Sequence, residues 1–388
     1  MKNILSLLLI AIFFFLPITA QKRGGAEIKQ LQSPQNPRLG FVIHGGAGVI
    51  KRGSLSPEKE AEYKRKLEEA VLAGYKALQD GRSGLDAVEI AIRILEDSPL
   101  FNAGKGAVFT ADGKNELDAS IMEGKTLKAG AVAGLHRVKN PITLARAVME
   151  KSPHVMMVGD GAEKFAREQR IELVDEKYFW TQERWDSLQR IIKQEKEKEK
   201  KVQSPKSKAQ SPKSKVQSLK SKVQSLKSKV QSPKSEARSP QSASERELAY
   251  NKFGTVGAVA LDKDGNLAAG TSTGGMTYKK FGRVGDAPII GAGTYANNAT
   301  CAVSATGWGE FFIRLGVARD ISATMEYRGQ PIQQAADSVL DKVKTLGGDG
   351  GVIAIDKFGN IGISFNTEGM YRAYINSDGK PVIEIYKD

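Results

Sequence analysis

From Lys201 the chain repeats one heptad six times with small variations: KVQSPKS, KAQSPKS, KVQSLKS, KVQSLKS, KVQSPKS and EARSPQS. Val and Leu recur at the a and d spacing of a coiled coil, so a long helix has to be weighed. Pro takes the d position in four of the six copies, and each Pro inside a helix costs about 3 kcal/mol. The Ser, Gln and Lys that fill the rest bury nothing to offset it. The array therefore reads as a disordered basic linker, spanning 191–254 together with its charged helical lead-in, QRIIKQEKEKEKK. Whatever folds must be assembled from 39–190 and 255–388. Their strands are too rich in Gly and Ala for either part to stand alone.

The linker also accounts for the charge. The chain of 388 residues carries a net +14, yet residues 201–244 alone hold eleven Lys or Arg and one acid, Glu236. The remainder is close to neutral, which excludes a basic nucleic-acid-binding domain. A surface protein that presents the basic repeat to acidic polymers or membranes is the non-enzymatic alternative. At the N-terminus, an early Lys, an apolar run from Ile4 to Leu16 and a small residue at Ala20 have the layout of a signal peptide over 1–20. The run is too short for a stable membrane span. Export to the periplasm or medium is expected, with a flexible segment at 21–38. Cys301 is the single cysteine, so no intrachain disulfide forms, and its small apolar neighbours mark it as a buried thiol.

From Leu39 the pattern is globular. LGFVIHGGAG reads as a buried strand running into a Gly turn. Ser56, Pro57 and Gly81 delimit a first helix, and Leu85, Val88, Ile92 and Leu95 share one face of a second, over 84–97. Strand-like segments in LFNAGKGAVFTADGKNELDASIM and KAGAVAGL are expected to be separated by the Asp-Gly turn, and PITLARAVMEKSP and DGAEKFAREQ are helical. The second part holds two similar hairpins, GAVALDKDGNLAAG and GVIAIDKFGNIGIS, flanking helical GWGEFFIRLGVARDISATMEY and PIQQAADSVLDKVKTLGG. An α+β architecture follows, with sheets packed together and covered by helices.

The usual hydrolytic machinery is missing. GTSTG at 270–274 matches a nucleophile elbow, but no helix follows it and no His lies beyond His154. His44, His136 and His154 have no metal-ligand spacing, and HGGAG lacks the Lys-Ser/Thr of a phosphate loop. One economical acyl-transfer device remains. A Thr at a chain end carries its own general base, the free α-amine. Thr255 opens an apolar strand directly after the linker, where a cut would be accessible.

The motifs HGGAG, PLFNAGKGAVFTADGKNELDASIMEG, SPHVMMVGDGAE, GTVGAVALDKDGNLAAGTSTGGM, GRVGDAPIIGAGTYANNATCAVSATGWGE and GGDGGVIAIDKFGNIGISFNTEGMYRA together resemble the plant-type L-asparaginase/isoaspartyl peptidase family. The likeness runs from Leu39 to Arg372, linker excepted. It implies an N-terminal-nucleophile hydrolase with a four-layer αββα sandwich. It implies autoproteolysis between Gly254 and Thr255, leaving an α chain (39–190 at its core) and a β chain (255–388) that assemble as (αβ)₂. Thr255 would then attack the side-chain amide of L-asparagine or the isopeptide bond of β-aspartyl dipeptides and release L-aspartate. A glycosylasparaginase is the enzymatic alternative; those enzymes carry Asp where Gly254 stands.

Such substrates present an α-carboxylate and an α-ammonium, and GRVGD offers Arg283 for the first and Asp286 for the second. The resemblance implies that Thr306 and Gly307 donate to the oxyanion, that Thr273 hydrogen-bonds the nucleophile and that Asn102 orders the site. Gly45, Gly46 and Gly48 would let the first strand approach it closely. No cofactor is required; a structural sodium ion held by backbone carbonyls of Leu95, Glu96, Phe101 and Ala103 is an expectation from relatives. Two departures from the family stand out: the long heptad array, and Trp308, whose bulk is expected to narrow the leaving-group side of the pocket.

Overall fold

The computed structural model describes residues 39–203 and 254–387. The expected signal peptide at 1–20, the segment 21–38 and the linker from 204 to 253, with nearly all of its heptads, lie outside the described residues. The first part contributes β1 (Gly40–Gly48), α1 (Pro57–Gln79), α2 (Gly84–Glu96), β2 (Leu117–Glu123), β3 (Ala129–Leu135), α3 (Pro141–Lys151), β4 (Met156–Val158), α4 (Gly159–Glu168) and α5 (Gln182–Gln203). The second contributes β5 (Val256–Leu261), β6 (Leu267–Thr273), β7 (Thr294–Ala296) and β8 (Cys301–Gly307). Helices α6 (Gly309–Leu315), α7 (Val317–Arg328) and α8 (Ile332–Thr345) follow, then β9 (Gly350–Asp356), β10 (Ile361–Phe365), β11 (Gly369–Ile375) and β12 (Pro381–Tyr386).

The mixed α and β organisation expected from the pattern is borne out. One sheet has eight strands in the order β12-β11-β1-β5-β6-β2-β3-β4, the other four in the order β10-β9-β8-β7. Strands β5 and β6, from beyond the linker, sit between β1 and β2 from before it. Neither part owns a complete large sheet. Alternation along each strand divides the core. Phe41, Ile43, Val256, Ala258 and Ala260 face α1 and α2, whereas Val42, Val259 and Leu261 meet Ile353 and Ile355 of the smaller sheet. A third cluster joins Val303, Val352 and Ala354 to Val317, Ile321, Val339 and Leu340 on α7 and α8.

The helix ends follow local chemistry. Ser56 accepts the Lys59 N–H with Pro57 in the first turn, and Ser83 and Asp86 close a reciprocal capping box on α2. The helical stretch after Gly307 is divided at Gly316, whose φ of 58° ends α6 and opens α7. The Asp112-Gly113 turn does not separate β2 from β3. It precedes β2, because 101–116 is occupied by a loop with one 3-10 turn at Gly104–Gly106, and the hairpin instead turns through 124–128. Helix α5 runs across position 190, with Leu188 and Ile191 buried, so the charged lead-in continues a helix anchored on the folded body.

Phe41 shows how tightly the helix layer is seated. It is fully buried, and a Cβ on Gly74 of α1 would fall 2.2 Å from its ring. Phe41→Ala should destabilise the protein by about 3–5 kcal/mol, read as a lower urea midpoint with an unchanged slope.

Candidate active site

Thr255 lies at the entrance of β5, between β1 and β6, and is 5% exposed. Three groups converge on the carbonyl oxygen of Gly254, the residue before it. The Thr255 hydroxyl approaches to 2.6 Å, the Thr273 hydroxyl to 3.0 Å and Asn102 Nδ2 to 3.0 Å. The Thr255 and Thr273 hydroxyl oxygens are 3.1 Å apart. The Thr273 and Asn102 side chains are fixed from behind. The Gly275 N–H donates to Thr273 Oγ1, Asn102 Nδ2 also donates to the Gly275 carbonyl at 2.7 Å, and the Val108 N–H donates to Asn102 Oδ1.

The end of β1 presses on this cluster. Gly46 has φ 112°, and a Cβ there would lie 3.1 Å from Gly254 Cα and 3.3 Å from the Thr255 nitrogen. Only glycine serves both needs. Gly45 packs on the Phe101 ring beside Asn102, while Gly48 closes the strand. From Ala47 between them, the backbone N–H donates to Thr306 Oγ1 at 3.3 Å. That bond occupies a lone pair and leaves the Thr306 proton to point elsewhere. Gly307 follows at the end of β8, with φ 142°.

Arg283 and Asp286 lie on the loop between β6 and β7. The guanidinium grips Glu310 through Nε at 2.9 Å and Nη2 at 2.7 Å. Asp286 is buried, and its Oδ2 has no hydrogen-bond partner among the described residues. A Cβ on Gly309 would fall 2.9 Å from Arg283 Nη2 and equally close to Asp286 Oδ1. The two charged ends thus flank one glycine.

A family described as asparaginase matches residues 37–385. The chain belongs to the asparaginase family. It is 46% identical to the isoaspartyl peptidase of Escherichia coli, over 90% of this chain and 96% of that protein. It is 42% identical to the plant-type L-asparaginases of Pyrococcus abyssi and Thermococcus kodakarensis, over 87% and 86% of this chain and 96% and 95% of theirs. This asparaginase-family chain is a hydrolase.

Several alternatives recede on geometry. Ser272, the elbow candidate, is fully buried and donates to Glu96 Oε1 at 2.6 Å, on the face opposite Thr273. Cys301 is buried, and burial pushes its thiol up to about 12. Among the described residues no cluster of three or more His, Cys, Asp or Glu could hold a metal ion, and no helix is long and apolar enough to cross a membrane.

Sequence reasoning gives three groups near the site no role in it, although it reads His44 as a satisfied side chain beside its Gly turn and not a metal ligand. His44 is fully buried; its Nδ1–H donates to the Thr255 carbonyl at 3.0 Å, and its Nε2, at 2.9 Å, accepts from Ser304. The carbonyl can only accept, which fixes the tautomer. Burial lowers its pKa to about 3 despite that bond, so the ring is a neutral brace. Lys279 is buried with Nζ donating to the Glu116 carbonyl and 4.0 Å from Asp118, which is paired with Thr273 across the sheet. Glu310 is the third. Strand alternation from Phe41 and Ile43 could have assigned His44 to the face between the sheets; nothing in the pattern signals the other two.

Burial raises the Asp286 carboxyl to about 7, against the pull of Arg283. An unfolded Asp titrates near 3.9, so the folded state holds this proton more tightly. The contribution to stability is complete below about pH 4 and is lost as pH rises through about 7. Melting temperature should therefore fall between pH 5 and 8, and Asp286→Asn should flatten that slope. An equal slope in both proteins would refute the assignment.

Proposed function

We propose that this chain is a self-processing threonine amidohydrolase that releases L-aspartate from L-asparagine and from β-aspartyl dipeptides. The observation that carries the reading is the convergence of the Thr255, Thr273 and Asn102 side chains on the Gly254 carbonyl. In processing, Thr255 Oγ adds to the Gly254 carbonyl carbon, and the C–N bond breaks as the amine takes a proton. The resulting ester is hydrolysed by water. While charge develops on the Gly254 oxygen, Thr273 and Asn102 supply preorganised donors. The product is a Thr with a free α-amine.

That amine is the base of the second reaction. It takes the Thr255 hydroxyl proton as Oγ attacks the substrate side-chain carbonyl, and the proton passes to the departing ammonia or amino acid. Thr306 and the Gly307 N–H stabilise the oxyanion. Arg283 binds the α-carboxylate and Asp286 the α-ammonium, whose charge stabilises the ionised carboxylate. Water then frees L-aspartate from Thr255.

The succession of helices, large sheet, small sheet and helices, with an apolar cluster at each junction, supports an αββα sandwich of the N-terminal-nucleophile type. We further propose (αβ)₂ assembly and export. The loop 95–105 fits a sodium ion in its chemistry: Glu96 Oε2 is an orphaned buried oxygen, and the Glu96 and Phe101 carbonyls close on Gly104 and Gly106. Backbone oxygens of Leu95, Glu96, Phe101 and Ala103 would hold it. Bound there, it would stiffen the loop that carries Asn102.

Denaturing electrophoresis with N-terminal sequencing tests the mechanism. Purified wild type should give two chains, the smaller beginning TVGAVA. A fully active preparation left whole at Gly254–Thr255 would overturn it.

A further inference from the structure

Arg283 uses only part of its hydrogen-bonding capacity on Glu310. A guanidinium has five N–H donors in a rigid fork, and the carboxylate of Glu310 takes one from Nε and one from Nη2. This is the side edge of the fork. The end edge, formed by Nη1 and the second N–H of Nη2, is turned toward two glycines. A Cβ on Gly285 would lie 2.9 Å from Nη1, and one on Gly309 would lie 2.9 Å from Nη2. The lack of side chains there keeps the end edge accessible, on the same side as Asp286.

Glu310 is itself held. The Trp308 side chain, whose one polar group is the indole N–H, acts on the Glu310 carboxylate in the same sense as Arg283, lowering it. Burial would raise that carboxyl, but Arg283 and Trp308 keep it below its ordinary range. The indole ring rests edge-to-face on Phe311, with centroids 5.1 Å apart, and the Trp308 backbone N–H donates to the Asp349 carbonyl at 2.8 Å. Trp308 and Glu310 also continue directly from Thr306 and Gly307. One short stretch of backbone therefore carries both the oxyanion donors and the support of the carboxylate clamp.

We propose that Trp308 and Glu310 are positioning residues that hold Arg283 by its side edge and present its end edge to the substrate α-carboxylate. The proposal rests on the reading of Arg283 given above and extends it. The spacing between the clamp and the oxyanion donors is then set by residues 306–310, which makes this pair a determinant of substrate length. It also gives the bulk of Trp308 a task different from narrowing the leaving-group side. The opposite role, in which Glu310 competes with substrate for Arg283, predicts effects of opposite sign.

The test uses full-length enzyme, with L-aspartate affinity by calorimetry and steady-state kinetics on L-asparagine. Glu310→Gln should weaken L-aspartate binding and raise KM by about tenfold, the scale of one charge-assisted hydrogen bond, with kcat changed far less. Trp308→Phe keeps the ring and removes the N–H, and should move both quantities the same way by about threefold or more. On an Arg283→Lys background, which cannot offer a fork, Glu310→Gln should add little further loss. Self-cleavage at Gly254–Thr255, followed in parallel, reports that each variant has folded; where Glu310→Gln fails to fold, Trp308→Phe decides. Unchanged or tighter L-aspartate binding in a folded variant would overturn the proposal, as would equal losses in kcat and 1/KM. A wild type that neither binds L-aspartate nor turns over L-asparagine would instead sink the functional reading beneath it.

Discussion

Thr255→Ala should remain a single uncut chain and lose about 10⁴-fold or more in turnover, the scale seen when a nucleophile is removed. The variant should lose both reactions at once, because in the proposed mechanism the same oxygen attacks the peptide bond and the substrate. It should nevertheless fold. Among the described residues the Thr255 side chain hydrogen-bonds to Gly254 and Thr273, both at the site, and the β5 strand that follows is held by apolar contacts elsewhere. Thr255→Ser is the informative partner. It keeps the hydroxyl but not the β-branch, which restricts χ1 and holds Oγ near the carbonyl. Slow cutting is expected, complete on long incubation, followed by reduced turnover. A Thr255→Ala protein with undiminished turnover would remove Thr255 from the chemistry altogether.

The second large effect separates two residues that look equivalent in the uncut chain. Thr273→Val, nearly isosteric, removes a hydroxyl that reaches the Gly254 oxygen and stands 3.1 Å from Thr255 Oγ1. Self-cleavage and kcat should both fall by about 10²–10³-fold, the range for one lost oxyanion or nucleophile donor. Asn102→Ala should slow self-cleavage on the same scale, since Asn102 Nδ2 donates to that oxygen too. After the cut, however, the Gly254 carbonyl belongs to a chain end, and the remaining bonds of Asn102 go to the backbone of Gly275 and Val108. Processed Asn102→Ala should therefore lose much less in kcat than processed Thr273→Val. Rates of chain splitting from timed gels, set beside kcat of fully cut material, give the comparison directly. Equal losses in both assays for both variants would show that the two side chains do the same thing.

Much of this was legible in the residues because local chemistry and tertiary packing agree. Ser56-Pro57 and Ser83 start helices whose apolar faces meet strands of period two, and the two D-K-x-G-N turns close hairpins at β5–β6 and β9–β10. The Asp112-Gly113 turn misled because a turn signal says where the chain bends and not which strands it joins. Site residues on the backbone-shaping motifs, Gly46 and Thr255 among them, were readable for the same reason: each has a demanding conformation or a unique chemical setting. Glu310 and Lys279 were not. A carboxylate in the first turn of a helix ordinarily means a favourable dipole, and a lysine among loop residues ordinarily means solvent. Only their juxtaposition with Arg283 and Asp118, from distant stretches of chain, gives them meaning.

The strand order of the large sheet has one more outcome. Strands β5 and β6 lie between β1 and β2, so the β1–β5, β6–β2 and β1–β11 ladders each join the two chains that the proposed cut would leave. They cannot part without tearing that sheet open. Once cut, the protein can only come apart by unfolding, and its return becomes a meeting of two molecules. Refolding of cut enzyme from denaturant should slow on dilution, whereas uncut Thr255→Ala should refold at a rate independent of concentration. The proposed cut would thus leave the folded protein assembled while turning any later refolding from a one-molecule event into a two-molecule one.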